Sequence, residues 1–300
     1  MANVNIQELL DSGVHFGHLT RKWNPNMAPY IYTERNGVHI IDLYKTAAKI
    51  EETSEALKKI ANSGRKILFV ATKKQAKDIV AEKAKTVQMP FITERWPGGM
   101  LTNFVTIRKA VKKMAHIDRM KLDGSFDALS KREKLQINRQ REKLEKNLGS
   151  ISDMTRLPGA LFVVDIKKEH IAVAEAQKLN IPIFAMVDTN SDPRLVDYVI
   201  PANDDASKSI DKVLSFVTDA IAEGLSDRKS EKEKVAKKEA APKVEEAKTE
   251  ELAAPKAEAA PKVEEAKTEE VAAPKAKTVK APKKAKAKKE VTETPSEETK

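Results

Sequence analysis

The chain has 300 residues, a formal net charge of +10 and no cysteine, which excludes disulfides and thiolate metal sites and fits a reducing compartment. No apolar run approaches the roughly 20 residues that a membrane-spanning helix needs, and residues 1–11 lack the basic-then-apolar pattern of a signal peptide. We therefore expect a cytoplasmic protein with no membrane partner.

Six short apolar runs are predicted strands, and helical patterns lie between most of them. The strands are predicted over residues 38–41, 66–71, 90–92, 160–165, 183–188 and 198–201. The helices are predicted over 46–61, 73–86, 169–179 and 206–223, and Gly224 is expected to end the last one. Runs that are apolar on both faces are typical of strands covered on two sides. This alternation predicts an α/β fold with a parallel sheet between helices.

Residues 102–149 interrupt the alternation, because they contain two long helical patterns and no predicted strand. A turn at residues 122–127 separates the patterns, so we predict an inserted helical hairpin. Residues 108–146 carry 13 basic and 6 acidic side chains, a surplus equal to the whole net charge of residues 1–228. A basic surplus concentrated in this way favours a polyanionic partner, although a solvated helical face has the same composition.

The last 72 residues differ in composition from the rest of the chain. Residues 229–300 contain no Phe, Trp, Tyr, Ile or Gly, and residues 240–256 recur almost unchanged as 259–275. Such a segment buries too little apolar surface to offset the entropy of ordering. We predict a folded domain over 1–228 and a disordered repeat tail over 229–300. The lysine-rich segment 275–289 would allow non-specific contact with nucleic acid, and a purely solubilising tail fits equally well.

The motifs of common enzymes are missing from the sequence. The loops that follow the predicted strands contain no glycine, and neither GxGxxG nor GxxxxGK[ST] occurs. There is no GxSxG elbow and no HExxH, and the five histidines are scattered. The sequence therefore predicts no catalytic residues and no required cofactor.

A metal site is predicted at the ends of two neighbouring strands. Asp188 ends one strand, and Asp204 and Asp205 follow the next. Carboxyl ends of adjacent parallel strands lie close together, and His18 would complete a mixed nitrogen and oxygen set for Zn²⁺ or Mg²⁺. Paired aspartates are also common helix caps, so both interpretations stay open.

Seven motifs occur in an order and spacing that resembles the bacterial small-subunit ribosomal protein S-two family over roughly residues 3–226. The motifs are GVHFGHLTRKWNPNMAPYIY, VHIIDL, ILFVATKKQA, ERWPGGMLTNF, LPGALFVVD, IPIFAMVDTNSDP and VIPANDDA. Pro97 replaces a residue that is commonly apolar in the family, and the repeat tail is a departure from its common form.

The resemblance implies a three-layer, flavodoxin-like α/β domain with a protruding coiled-coil hairpin. It also implies a structural constituent of the small ribosomal subunit that binds small-subunit ribosomal RNA, contacts neighbouring proteins and supports docking of the large mRNA-binding protein S-one. We expect no homo-oligomer. Two alternatives are a non-ribosomal nucleic-acid-binding protein that uses its lysine-rich tail, and an α/β enzyme acting on a small molecule.

Eleven residues are predicted to contact RNA, mainly at phosphates. Arginine and lysine supply charge, Trp23 either stacks on a base or packs against the sheet, and the adjacent glycines form either a tight turn or a close approach to phosphate. The residues are Arg21, Lys22, Trp23, Arg95, Trp96, Gly98, Gly99, Arg108, Lys109, Lys112 and Lys113.

Overall fold

A five-stranded parallel sheet forms the centre of the computed structural model, which describes the backbone of residues 4–249 and side chains up to residue 231. Its strands are β4 (Ile67–Val70), β5 (Phe91–Ile92), β6 (Ala160–Val164), β7 (Ile183–Val187) and β8 (Tyr198–Pro201). The spatial order β5-β4-β6-β7-β8 is that of flavodoxin-like folds. The predicted parallel sheet is therefore confirmed.

Helices accompany the sheet, and buried apolar residues form two clusters. The helices are α1 (Ile6–Asp11), α2 (Leu43–Asn62), α3 (Lys77–Thr86), α4 (Phe104–Leu122), α5 (Lys131–Leu148), α6 (His170–Lys178) and α7 (Ser207–Thr249). Alternate residues along β4 belong to different clusters: Ile67 and Phe69 to one, Leu68 and Val70 to the other. Successive side chains of a strand point to opposite faces, so the sheet is covered on both sides, as in a three-layer α/β fold.

The first predicted strand lies outside the parallel sheet. β3 (Val38–Ile41) pairs antiparallel with β1 (Phe16–Leu19) and β2 (Ile31–Arg35) in a separate three-stranded sheet. The cause is the dipeptide Asn36-Gly37, whose φ angles of 54° and 75° make the tight turn that joins β2 to β3. The prediction that residues 38–41 form a strand is confirmed, but the prediction that this strand belongs to the parallel sheet was wrong.

Two helices, α4 and α5, lie within residues 102–149, where an inserted hairpin is predicted. Ser130 caps α5, and its side chain and that of Glu133 satisfy each other's backbone N–H groups. The side chain of Arg141 joins the two helices through Asp118. Ile117 is the only buried residue of α4 and Leu148 the only one of α5, so most of the hairpin surface is exposed. Coiled-coil packing of the two helices stays a prediction.

The last helix continues through the glycine that was expected to end it. A Cβ atom at Gly224 would lie 2.5 Å from the carbonyl oxygen of Lys58 and 3.0 Å from Cβ of Ala61. Gly224 therefore allows α7 to approach α2 closely, and the predicted helix end was wrong. Residues 229–249 continue α7, and alanine, lysine and glutamate are strong helix formers. Disorder of the tail stays a prediction. The remaining tail, residues 250–300 with the segment 275–289, lies outside the described residues.

We predict that Gly224→Ala destabilises the protein by about 1–3 kcal/mol, because the new methyl group overlaps the backbone of α2 and outweighs the helix propensity of alanine. Urea unfolding measures the difference. Gly98→Ala is the control, since a Cβ there meets no atom within 4 Å. A Gly224→Ala variant as stable as the parent would contradict the packing role of this glycine.

Candidate functional site

Four cations on α4 form the first part of the candidate site. Arg108, Lys109, Lys112 and Lys113 are exposed, and none forms an ion pair with another residue of the described part of the chain. Ile107 and Val111, on the same helix, pack against the buried apolar cluster. Because residues four apart lie on one side of a helix, the cations present a continuous positive face. We call these four residues the arm cations.

The segment after β1 adds two further free cations. Arg21 and Lys22 lie in a short 3₁₀ turn, are exposed and have no ion pair among the described residues. The ring of Trp23 packs 5.0 Å from the ring of His39, measured between centroids, and 37% of its surface remains exposed. Trp23 therefore packs against the small sheet and still presents part of its ring to a ligand.

Trp96 is buried, which argues against the predicted RNA contact. Its exposed fraction is 6%, and its indole N–H donates a hydrogen bond of 3.1 Å to Oε1 of Glu175. A ring in this position has no free face for a base, so its role is to hold the loop that follows it. Arg95, the preceding residue, is exposed and unpaired within the described residues. Its predicted RNA contact is compatible with this position.

The buried carboxylate of Glu175, in α6, accepts hydrogen bonds from the backbone of residues 98–102, which we call the glycine loop. Its oxygens accept the N–H groups of Gly99 at 2.8 Å, Leu101 at 2.9 Å and Thr102 at 3.1 Å. Burial alone would raise the pKa of Glu175, but these bonds and the one from Trp96 outweigh it and hold the pKa below its ordinary value of 4.5.

This arrangement explains what the two adjacent glycines do. Gly99 has a φ of +81°, which favours glycine, and its N–H is already bonded to Glu175. The tight-turn interpretation therefore fits Gly99, and the predicted close approach of its N–H to phosphate does not. Gly98 is exposed, and a Cβ atom there would meet nothing within 4 Å.

The predicted metal residues come together at the carboxyl ends of β7 and β8. Nδ1 of His18 lies 3.0 Å from Oδ2 of Asp188, and its Nε2 lies 3.3 Å from Oδ2 of Asp205. One ligand atom each from His18, Asp188 and Asp204 lie within 4.8 Å of one another. Asp204 is fully buried, and its Oδ2 has no hydrogen-bond partner among the described residues.

Two residues of this cluster were missed from the sequence. Lys73, which follows β4, places Nζ 2.8 Å from Oδ1 of Asp204 and 2.7 Å from Oδ1 of Asp205. Asp165, which follows β6, lies 3.7 Å from the same Nζ atom. Lys73 lies two residues beyond one predicted strand and Asp165 is the last residue of another, so the rule that strand ends converge in a parallel sheet could have found them.

The charges in the cluster shift the pKa values of two members. Burial, aided by the neighbouring carboxylates of Asp188 and Asp165 and opposed by Lys73, raises the pKa of Asp204 to about 7. The hydrogen bond to Asp188 raises the pKa of His18, against the opposing effect of burial. Four carboxylates therefore face one ammonium and one imidazole, and the cluster favours an added proton or cation.

Comparison with known proteins decides the family. Residues 9–224 match a family model described as Ribosomal protein S2. This chain belongs to that family. Small ribosomal subunit protein uS2 of Flavobacterium johnsoniae is 76% identical over 254 residues, covering 82% of this chain and 100% of that protein. The proteins of the same name from Christiangramia forsetii and Parabacteroides distasonis are 74% and 66% identical, covering 82% of this chain in both cases and 83% and 88% of the relatives.

Membership of the ribosomal protein S2 family confirms the resemblance and the class of function. The chain is a structural constituent of the small ribosomal subunit and not an enzyme, so its expected location is the cytoplasmic ribosome. Neither alternative drawn from the sequence, a non-ribosomal nucleic-acid binder or an enzyme, fits this membership. The family match ends at residue 224 and does not include the tail. Every helix in residues 4–249 is too short or too polar to traverse a bilayer.

We predict that Glu175→Gln costs about 2–4 kcal/mol of stability at neutral pH, because one amide cannot replace a buried carboxylate that accepts several N–H groups. Since the pKa of Glu175 is lowered by folding, its contribution is present above pH 4.5 and is lost as pH falls through the lowered pKa. The difference in the free energy of unfolding between the parent protein and Glu175→Gln should therefore become smaller at acidic pH.

Urea unfolding between pH 3 and pH 7 tests this prediction. Glu142→Gln is the matched control, because Glu142 is exposed and forms no ion pair or side-chain hydrogen bond among the described residues. If Glu175→Gln and Glu142→Gln unfold at the same urea concentration at every pH, the hydrogen bonds of Glu175 do not stabilise the loop.

Proposed function

We propose that this protein binds small-subunit ribosomal RNA through the arm cations, which contact phosphates along one face of α4. The observation that carries the proposal is that these four exposed charges have no partner within the described residues. Unpaired cations on a projecting helix lose little solvation when they exchange water and counterions for phosphate oxygens. Sequence-independent contacts of this type position a protein on folded RNA.

A second group of exposed residues supports the proposed RNA binding. Arg21 and Lys22 are exposed cations beside the partly exposed ring of Trp23, a combination that suits phosphate contact with adjacent stacking. Arg95 lies in the loop that leads to α4. Trp96 and Gly99 hold this loop through Glu175, and we assign them no direct RNA contact.

The salt dependence of binding tests the proposal. Replacing all four arm cations by alanine should weaken binding to small-subunit ribosomal RNA and should lower the slope of log K against log salt by about 3–4, since each phosphate contact contributes about 0.7–0.9. Filter binding from 50 to 400 mM KCl measures both quantities.

The control removes four exposed lysines from other parts of the domain, which have no ion pair among the described residues. They are Lys74, Lys167, Lys178 and Lys208. If loss of these four lysines lowers the slope as much as loss of the arm cations, the effect comes from net charge and the arm has no special role.

A protein-docking role accompanies RNA binding in our proposal. The three-stranded sheet exposes large apolar side chains, with 50% of Phe16, 52% of Leu19 and 76% of Tyr32 accessible. Exposed large apolar side chains are candidates for protein contacts. We propose that this surface supports docking of the large mRNA-binding protein S-one, and that the chain acts as a single copy rather than a homo-oligomer.

We propose further that the acidic cluster holds one divalent cation, with His18, Asp188 and Asp204 as ligands and Asp205 as a fourth candidate. The fully buried Oδ2 of Asp204, which has no partner in the described part of the chain, and the surplus of carboxylates support this assignment. A set of one imidazole nitrogen with carboxylate oxygens fits Zn²⁺ better than Mg²⁺, which keeps an oxygen shell. Bound metal would tie β1 to the ends of β7 and β8.

Zinc at 100 times its dissociation constant should stabilise the protein by about 2.7 kcal/mol, which raises Tm by about 5–10 °C for a domain of this size. Asp204→Asn should abolish both this shift and the zinc retained after gel filtration. Asp78→Asn is the control, because Asp78 is exposed and lies outside the cluster. A parent protein that retains no zinc and shows no shift would refute the site.

A further inference from the structure

A cavity of about 470 Å³ lies between the glycine loop and α5, apart from the arm cations and the acidic cluster. Pro97, Leu144 and Leu148 supply its apolar surface. This volume is within the range of about 300–1,000 Å³ that is usual for ligand pockets. The cavity is therefore large enough for one small planar group.

The polar side chains that line the cavity have no side-chain partner within the part of the chain that the structure describes. Arg95, Gln140, Lys143 and Asn147 line it, and none of them forms a side-chain hydrogen bond or an ion pair with another residue of the described part. The lining includes no carboxylate. The two amides can each donate and accept hydrogen bonds, and the two cations attract an anion.

We propose that this cavity receives a single unpaired nucleotide of RNA, with the base inside and its phosphate at the cations. The inference deepens the proposed RNA-binding function and rests on it. A base stacks on apolar surface and on the plane of an arginine guanidinium, and its edge needs groups that donate and accept. Arg95, Gln140 and Asn147 supply these features, and Lys143 adds a phosphate contact.

The loop that forms one side of the cavity is held by hydrogen bonds within the protein. Glu175 bonds the backbone of Gly99, Leu101 and Thr102, and Leu148 is only 5% exposed. A pocket that does not have to become ordered on binding retains more of its interaction energy as affinity. This shape favours recognition of one splayed-out base, whereas the arm cations would contact only the phosphates of the RNA backbone.

Gly98 provides a test that changes no charge. It lines the cavity, its φ is not positive, and a Cβ atom there meets nothing within 4 Å. Gly98→Leu therefore fills the cavity without backbone strain, while Gly98→Ala leaves most of it open. Gln140→Ala/Asn147→Ala removes the groups that would read the base edge and leaves the loop unchanged.

The probes are RNA hairpins that carry one bulged A, C, G or U, together with the same hairpin fully paired. The full chain should bind at least one bulged hairpin about tenfold more tightly than the paired one, the size of one base stack. Gly98→Leu and Gln140→Ala/Asn147→Ala should lose this preference and keep parental affinity for the paired hairpin. The Gly98→Ala control should retain it.

The possible outcomes separate this inference from the proposed function. If no hairpin binds at any salt concentration, RNA binding itself fails. If the parent binds bulged and paired hairpins equally, or if both cavity variants keep the preference, RNA binding stands and the nucleotide pocket is refuted. Equal binding would also be the result if the cavity received a peptide from a neighbouring protein.

Discussion

The carboxylate of Glu175 is the constraint on which the candidate RNA surface depends. A buried charge is costly unless hydrogen bonds replace its water, and here the indole of Trp96 and three backbone N–H groups do so. The backbone of residues 99–102 is thereby fixed, and α4 begins two residues later at Phe104. The hydrogen bonds of Glu175 therefore fix the point at which α4, the helix that carries the arm cations, begins.

Charge is distributed unevenly, and this distribution connects the fold to its role. The carboxyl ends of parallel strands form the usual ligand site of doubly wound sheets, but here Asp165, Asp188 and Asp204 occupy that edge with Lys73 and His18. Surplus positive charge lies instead on the exposed helices α4 and α5. A domain that carries its positive surplus on exposed helices and charged side chains at its sheet edge suits a structural component better than an enzyme.

Much of the fold could be predicted from apolar periodicity, because buried parallel strands and amphipathic helices have strong local patterns. The parallel strands and both hairpin helices were found with small changes at their ends. The small antiparallel sheet was missed because β1 and β2 are short and mostly exposed, although Asn36-Gly37 is a strong hairpin signal. Gly224 was misread because close packing of two helices and a helix end both require glycine, and the sequence alone does not separate them.

The site was predicted less completely than the fold, for a physical reason. Exposed cations such as Arg108 and Lys112 can be predicted from their helical spacing alone. The hydrogen bonds of Trp96 and Gly99 to Glu175 were not foreseen, because Glu175 lies more than 70 positions away in the chain. Lys73 and Asp165 join the acidic cluster only through the order of strands in the sheet, which the sequence implies but does not state.

The most direct measurement is a cryo-electron microscopy map of small ribosomal subunits that contain this chain. The account predicts ribosomal RNA phosphates within hydrogen-bonding distance, about 3 Å, of at least two of Arg108, Lys109, Lys112 and Lys113. A map in which this face of α4 is surrounded by solvent, or is covered only by protein, would contradict the central claim that the arm binds RNA.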